Sequence, residues 1–402
     1  VVSAVYPKEG AAREVSVITA SKTIDLKHNY FGVFPKALDV ITLGSSNAAD
    51  IQGFTGVPFD SNWTKGPYYG GEYLAGDTTW LTDIFITGDL TITSGKTLTI
   101  SEGVNVLFAN VDQNKDGTGD YGIFVSGGGL VVNGTSGNPV TFTVYGATKS
   151  PKSWDVVEIA GGGASSNVAN AIFEYGNAGL RLQSGTHQLN AVTSRYQSSH
   201  GFQFISGTSL AADKLTASEN GGDGIYLSNF SNATIDHSTI TKNGGNGVSF
   251  YNSTTNLKLK NSTITYNAAS GLLQQKSGVS VDHCNINYNG TGVKYAGNST
   301  GSLGYCNVKY NNNEGIFLQT LDSYSPSPAI NNNNVYGNSV IEGGKFADPG
   351  VSVSTTGSDY MTKASSPYTT PANQKIHYFQ ANYSEYDYDY YNYENGNVRK
   401  DS

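Results

Sequence analysis

The sequence predicts an all-β chain built by stacking copies of one short unit, and three observations carry that expectation. Among 402 residues, 49 are glycine, 14% are charged and 11% are aromatic. A disordered chain would show more charge and fewer aromatics, so the chain folds. Runs of good helix formers with apolar residues at 3.6 spacing are nearly absent, which leaves strands and turns. A phrase also returns: "DHSTITKNGGNGVSF" (236–250), "KNSTITYNAASGLL" (260–273), "DHCNINYNGTGVKY" (282–295) and "GYCNVKYNNNEGIF" (304–317). Self-similarity at a fixed period marks a repeat architecture.

Each phrase opens its main strand after a glycine, at Gly179, Gly201, Gly224, Gly247, Gly271, Gly292 and Gly315, at intervals of 22, 23, 23, 24, 21 and 23. The triplets that follow alternate inward and outward, as in Ile225/Leu227, Val248/Phe250 and Ile316/Leu318. Period two means a strand with one face buried. Ile240, Ile264, Ile286 and Val308 sit at equivalent places on a second short strand, and Asn243, Asn267, Asn289 and Asn311 close the phrase. A unit this short cannot bury its apolar face alone and must stack on its copies. Stacking like on like gives a parallel β-helix, with aliphatic columns inside and an asparagine ladder at one turn. The same asparagines also suit a turn that needs a left-handed residue. Leucine-rich repeats and WD blades lack the required phrases.

Two more columns follow from the register. Asp236, Lys260 and Asp282 share one outward position, so their charges alternate along the stack. Ser238, Ser262, Cys284 and Cys306 share an inward one. The two cysteines therefore lie one above the other, within disulfide reach, but with parallel side-chain vectors that favour buried thiols.

Three further phrases resemble the right-handed parallel β-helix proteins of the pectate-lyase-like superfamily. "GDLTITSGKTLTISEGVNVLFA" (88–109) with "GIFVSGGGLVVNGTSGNPVTFT" (122–143) is similar to their opening coils, and "FADPG…DYMTKASSP" (346–367) to their closing segment. "HNYFG" (28–32) resembles a phrase that normally ends such an array, yet here it comes first. The resemblance implies a single right-handed solenoid of about a dozen coils with atypical ends. An N-terminal cap or array-ending segment spans 1–75, the β-helix 76–345, a closing segment 346–377 and a tail 378–402. It implies little about activity, because the superfamily holds lyases, hydrolases, phage spikes and non-catalytic surface proteins.

"DQNKDGTGD" is the sharpest local motif. Asp112, Asn114 and Asp116 alternate, Gly117 permits a tight turn, Thr118 offers a backbone carbonyl, and Asp120 follows. This is the oxygen pattern of a calcium loop, although Ile123 stands where an EF-hand has its bidentate glutamate. Structural calcium is expected there, with a solvated acidic loop as the plainer reading. Enzymes on such folds need paired carboxylates or a basic group beside a uronate. Asp155, Glu158, Arg181, Arg195, His200, Asp213 and Lys214 do not stack into such a set by register. His237 and His283 fall two coils apart. No catalytic residue is assigned. Outward positions Tyr226, Leu273, Lys294 and Phe317 form a possible glycan or partner surface.

A net charge of −8 without a basic face disfavours nucleic acid. No apolar run reaches membrane-spanning length, and the non-methionine start suggests a processed, secreted or cell-surface chain. In the tail, Tyr386, Tyr388 and Tyr390 alternate with acidic residues, which predicts a strand or an acidic disordered end. Such a strand docks on this chain or on the next. These features favour a non-catalytic, calcium-stabilised subunit that assembles with itself end to end into a surface filament. The alternative is a secreted lyase or binding module for acidic polysaccharide.

Overall fold

Residues one repeat apart lie in register on neighbouring parallel strands. Ile240 pairs with Ile264, Ile264 with Ile286, Ile286 with Val308, and Val308 with Val335. All five are fully buried. On the first strand of each coil Ile225, Val248, Leu272, Val293 and Ile316 stack likewise. Burying a branched aliphatic side chain contributes about 1.5–3 kcal/mol, so these columns dominate the stabilisation.

The structure, a computed structural model, describes residues 68–336 and 338 apart from 113 and 253–255, together with the backbone of eight short strands outside that span. Among the described residues there is no helix, and no helix is long and apolar enough to cross a membrane. The chain divides into two compact units: Val1–Arg181 with Tyr196–Ser198, and Leu182–Arg195 with Ser199–Ser402.

In the first unit the continuously described span opens with Tyr68–Tyr69 and Glu72–Tyr73, stacked in parallel on Phe85–Ile86 and Leu90–Thr91. Thr97–Ser101 pairs with Gly129–Asn133, and that strand with the start of Ser165–Glu174. The core holds two stacked aromatic pairs, Phe108–Trp154 at 4.3 Å and Phe142–Phe173 at 4.4 Å. The Trp154 indole N–H donates to the Glu174 carbonyl at 2.9 Å, which satisfies its one polar atom.

In the second unit each coil carries three strands, such as Ile225–Ser228, Asn232–Asp236 and Thr239–Thr241. Single left-handed residues make the bends between them: Asn229 (φ 54°), His237 (φ 44°) and Lys242 (φ 56°). The asparagine ladder then follows and is longer than the four residues expected. Asn220 donates to Asn243, Asn243 to Asn267, Asn267 to Asn289, Asn289 to Asn311 and Asn311 to Asn338, at 2.8–3.2 Å. The recurring glycine has a packing cause. A Cβ on Gly247 would stand 2.4 Å from Ile264 Cγ2 and 2.8 Å from the Asn267 amide nitrogen.

Ser238, Ser262, Cys284 and Cys306 take the shared inward position. The Ser238 N–H donates to Ser262 Oγ at 3.1 Å, and the Cys284 N–H to Cys306 Sγ at 3.3 Å. Both cysteines are free and buried. The contact with Cys284, reinforced by burial, pushes the Cys306 thiol up and holds it protonated.

Near the amino terminus Val15–Val17 pairs in parallel with Ile41–Leu43, and Thr23–Asp25 with Ala48–Asp50. "HNYFG" lies outside the described residues, as do Tyr386 and Tyr388. Tyr390 belongs to the strand Tyr390–Glu394, which pairs antiparallel with Asn397–Asp401. From Tyr390 on, the tail thus forms the two arms of a hairpin. Asn395-Gly396 between the arms is the strongest short-range hairpin signal a sequence carries.

Candidate functional site

The outer face of the glycine-initiated strands in the second unit brings Gln203, Tyr226, Ser249, Leu273, Lys294 and Phe317 into one column. The column is uneven. Tyr226, Lys294 and Phe317 are half-buried, and the Lys294 ammonium lies 5.3 Å from the centre of the Phe317 ring. Leu273 is only 8% exposed and Ser249 is fully buried. Leu273 is thus withdrawn from water and offers no open surface, as burial of its apolar area favours.

A more specific grouping lies at the edge of this face. The residues just before the repeating glycines, His200, Asp223, Asn246, Ser270 and Glu314, form a polar column. Each coil braces the next: the Asp223 N–H donates to His200 Nδ1 at 2.9 Å, the Asn246 N–H to Asp223 Oδ1 at 2.6 Å, and the Ser270 N–H to Asn246 Oδ1 at 2.9 Å. Asp223 also accepts from the Asn246 amide at 3.2 Å and from the Ser249 hydroxyl at 2.7 Å. Its carboxylate is therefore nearly buried and fully engaged, so it orients its neighbours. With Nδ1 accepting, a neutral His200 carries its proton on Nε2.

On this brace stand three rings in sequence. His200 stacks on Tyr226 at 4.9 Å, and Tyr226 on Tyr251 at 5.3 Å. Burial first, then the nearby Asp223 carboxylate, raises the Tyr251 phenol above its usual range, so it stays protonated. The group can stack against a ligand, donate hydrogen bonds from two directions, and hand over a proton. His200 looks isolated and Asp223 carries no signal by the register of the residues after each glycine. The signal that finds them is the position before it.

Other charged groups resolve differently. Asp213 and Asp236 are register partners, and His237 lies 3.0 Å from Asp213 and 3.2 Å from Asp236. Among the described residues these three bring ligand atoms within 4.8 Å of one another. Lys260 at 2.8 Å from Asp236 and Lys214 at 3.4 Å from Asp213 already supply the counter-charge. In the first unit Arg181 pairs with Glu158 at 2.8 Å, while burial raises Asp155, partly offset by the Asn177 amide.

At the calcium-like loop, the side chains hold the loop's own N–H groups. Asp112 accepts from Asp116 and Gly117, Asn114 from Asp116, Asp116 from Thr118, and Asp120 from Asn114, at 2.8–3.3 Å. Asp112, Asp116 and Asp120 do not bring three ligand atoms that close together.

Comparison with known proteins agrees with this architecture. The family model of the right handed beta helix region matches residues 128–280 and 258–359, and the chain belongs to that family. Among solved structures, the periplasmic alginate epimerase AlgG is similar with a TM-score of 0.54 and 15% identity, over 68% of this chain and 74% of that one. Pectate lyase Pel9A is similar at a TM-score of 0.42 and 12% identity, over 71% and 66%. The mannuronan C-5 epimerase AlgE6 A-module of Azotobacter vinelandii reaches 0.34 and 14%, over 83% and 90%. At these identities the likeness is one of fold. No curated protein sequence matches.

Proposed function

We propose that the protein acts outside the cytoplasm on an acidic polysaccharide, which it binds along the outer face of the second unit. The observation that carries this reading is the braced ring series His200–Tyr226–Tyr251, four coils along from which the column ends at Phe317 beside Lys294. In this reading Lys294 meets a sugar carboxylate and the rings meet sugar faces. Tyr226, once its phenol proton has passed to solvent, takes the proton from the carbon beside a carboxylate, and Tyr251, held protonated, returns one to the sugar or to the departing oxygen. Support comes from the site and from the kind of protein that shares the fold, since AlgG is an alginate epimerase and periplasmic. Calcium at Asp112, Asn114, Asp116, Thr118 and Asp120 belongs to the reading as a clamp on a loop between coils. End-to-end assembly rests on the "HNYFG" phrase and the tail, which lie mostly outside the described residues, and on the want of a catalytic cluster, against which the His200 group stands, so the polysaccharide reading takes precedence.

The test follows two readouts on alginate and polygalacturonate: absorbance of an unsaturated uronate, and deuterium uptake from solvent at the carbon beside the carboxylate. Either signal is expected, and Tyr251→Phe should lower it by about a hundredfold, the scale of one general acid. If neither polymer shows either signal, the reading fails.

A further inference from the structure

The second unit carries a feature outside that site. Tyr266, Tyr288 and Tyr310 occupy one column at the turn before the asparagine ladder, with rings stacked at 5.1 and 5.4 Å and interplanar angles of 4° and 19°. They are 57%, 44% and 43% exposed. All three are left-handed, at φ 58°, 57° and 55°. At the other end of the same short strands Tyr305, 59% exposed and also left-handed at φ 51°, stacks on His283 at 5.2 Å. Two aromatic columns thus border a strip of strand. Its floor is an amide chain: Asn307 donates to Asn285 at 2.8 Å and Asn334 to Asn307 at 2.9 Å.

Stability does not explain the tyrosines. A bulky L-residue in the left-handed region costs more than a stacking contact between exposed rings returns. Asparagine or glycine would fill the position more cheaply. The two preceding coils fill the same left-handed position with Glu219 and Lys242, so the bend needs no ring, and three exposed, stacked rings in a row there point to use. The chemistry narrows that use. The strand backbones on this strip are already spent in coil-to-coil pairing, so a peptide cannot add as another strand. Between the aromatic columns the described floor carries one charge, Lys309. What remains is a line of ring edges and phenol hydroxyls, with amides beside it, repeating at the coil spacing.

We infer that this strip is a second binding site, for an extended, uncharged polysaccharide whose sugars advance by about the coil spacing. It is independent of the His200 site and of the proton-transfer reading. The tyrosine hydroxyls and asparagine amides bond to sugar hydroxyls, and the ring edges pack against the sugar C–H groups.

The test is affinity electrophoresis of the full chain in gels holding hydroxyethyl cellulose, xylan or galactomannan, with alginate and polygalacturonate as acidic controls. At least one neutral polymer should retard the protein, with no loss at high salt, because uncharged contacts are not screened. The triple variant Tyr266→Asn, Tyr288→Asn, Tyr310→Asn should bind about tenfold more weakly or worse, while its urea midpoint is unchanged or higher. Tyr288→Phe, which keeps the stack and removes one hydroxyl, should weaken binding by a smaller factor in a protein that folds normally. The inference is overturned if no neutral polymer retards the wild type, or if only acidic polymers do and salt abolishes it. It is equally overturned if the triple variant still binds, or if it loses stability, which would make the stack structural. A change in oligomeric state by light scattering without any change in glycan binding would instead make the strip a contact between two copies.

Discussion

Tyr266 and Asn267 are neighbours in the chain and opposites in environment, and the same contrast recurs at Tyr288–Asn289 and Tyr310–Asn311. The asparagines are 0–2% exposed and the tyrosines 43–57%. Every polar atom of the Asn267 side chain has a task. Its amide nitrogen donates to the Ile240 and Thr265 carbonyls and to Asn289, and its oxygen accepts from the Asn243 N–H and amide. The asparagine ladder is therefore accounted for by the need to satisfy buried backbone groups. The tyrosine ladder is not: Glu219 and Lys242 fill the same left-handed position in the coils before it, so the bend does not call for a ring, and two stacks returning about 0.5–1.5 kcal/mol each do not offset three such positions at about 1–2 kcal/mol each. One column holds the turn together; the other is tolerated by it. The structure also decides between the two reasons for asparagine at this turn. None of Asn220, Asn243, Asn267, Asn289 and Asn311 is left-handed; the residue before each one is.

The sharpest way to break that comparison is Asn267→Ala. It leaves the Asn243 amide and two carbonyls short of partners in a buried turn, where each unsatisfied group costs about 1–3 kcal/mol. A loss of about 3 kcal/mol or more in urea unfolding is expected. A loss under about 1 kcal/mol would show that water enters the turn and that the ladder is no more than a spacer.

How far these columns could be read from the sequence depended on what sets them. The aliphatic columns, the inward serines and cysteines, and the alternating charges Asp236–Lys260–Asp282 were legible, because coil period and strand alternation fix them. Which outward residues stay exposed was not. Leu273 reads as surface by alternation, yet the fold covers it. His200 and Asp223 escaped for another reason: their brace is made of side chains accepting backbone N–H groups, which leaves no apolar pattern. Tyr266, Tyr288 and Tyr310 stand openly as a tyrosine before each asparagine. Only the backbone angle shows that the position is an expensive one.

A second comparison sets His187 beside its register partner Leu210. Both point inward, but His187 is fully buried with Nε2 against the Ser184 carbonyl. Burial is the larger influence and lowers its pKa below the ordinary 6.5, with the Ser184 contact opposing. The folded chain thus binds fewer protons here than the unfolded one. The stabilisation is complete above pH 6.5 and falls as the pH drops below it, by up to about 1.4 kcal/mol per unit. His187→Leu, which copies the neighbouring coil, should flatten the stability profile between pH 6.5 and the lowered folded value. Parallel profiles for the two proteins would mean that the imidazole is solvated in the native state.

The smallest effect belongs to the exposed column. Lys260 meets Asp236 at 2.8 Å, with side chains 41% and 16% exposed. Burial alone would raise the Asp236 carboxyl, but hydrogen bonds from Lys260 and Asn261 outweigh it and hold the group below its usual range. In water such a pair contributes little, because solvent screens it and two flexible side chains must be ordered. Lys260→Ala should therefore shift the urea midpoint barely at all, and less still in high salt. Its informative consequence is local. Asp236 would lose the ammonium that helps hold its carboxyl down, so that carboxyl should titrate at a higher pH by NMR. An unchanged Asp236 titration with a large loss of stability would mean that the charge column sets coil register, and that buried and exposed columns differ less than their solvent exposure suggests.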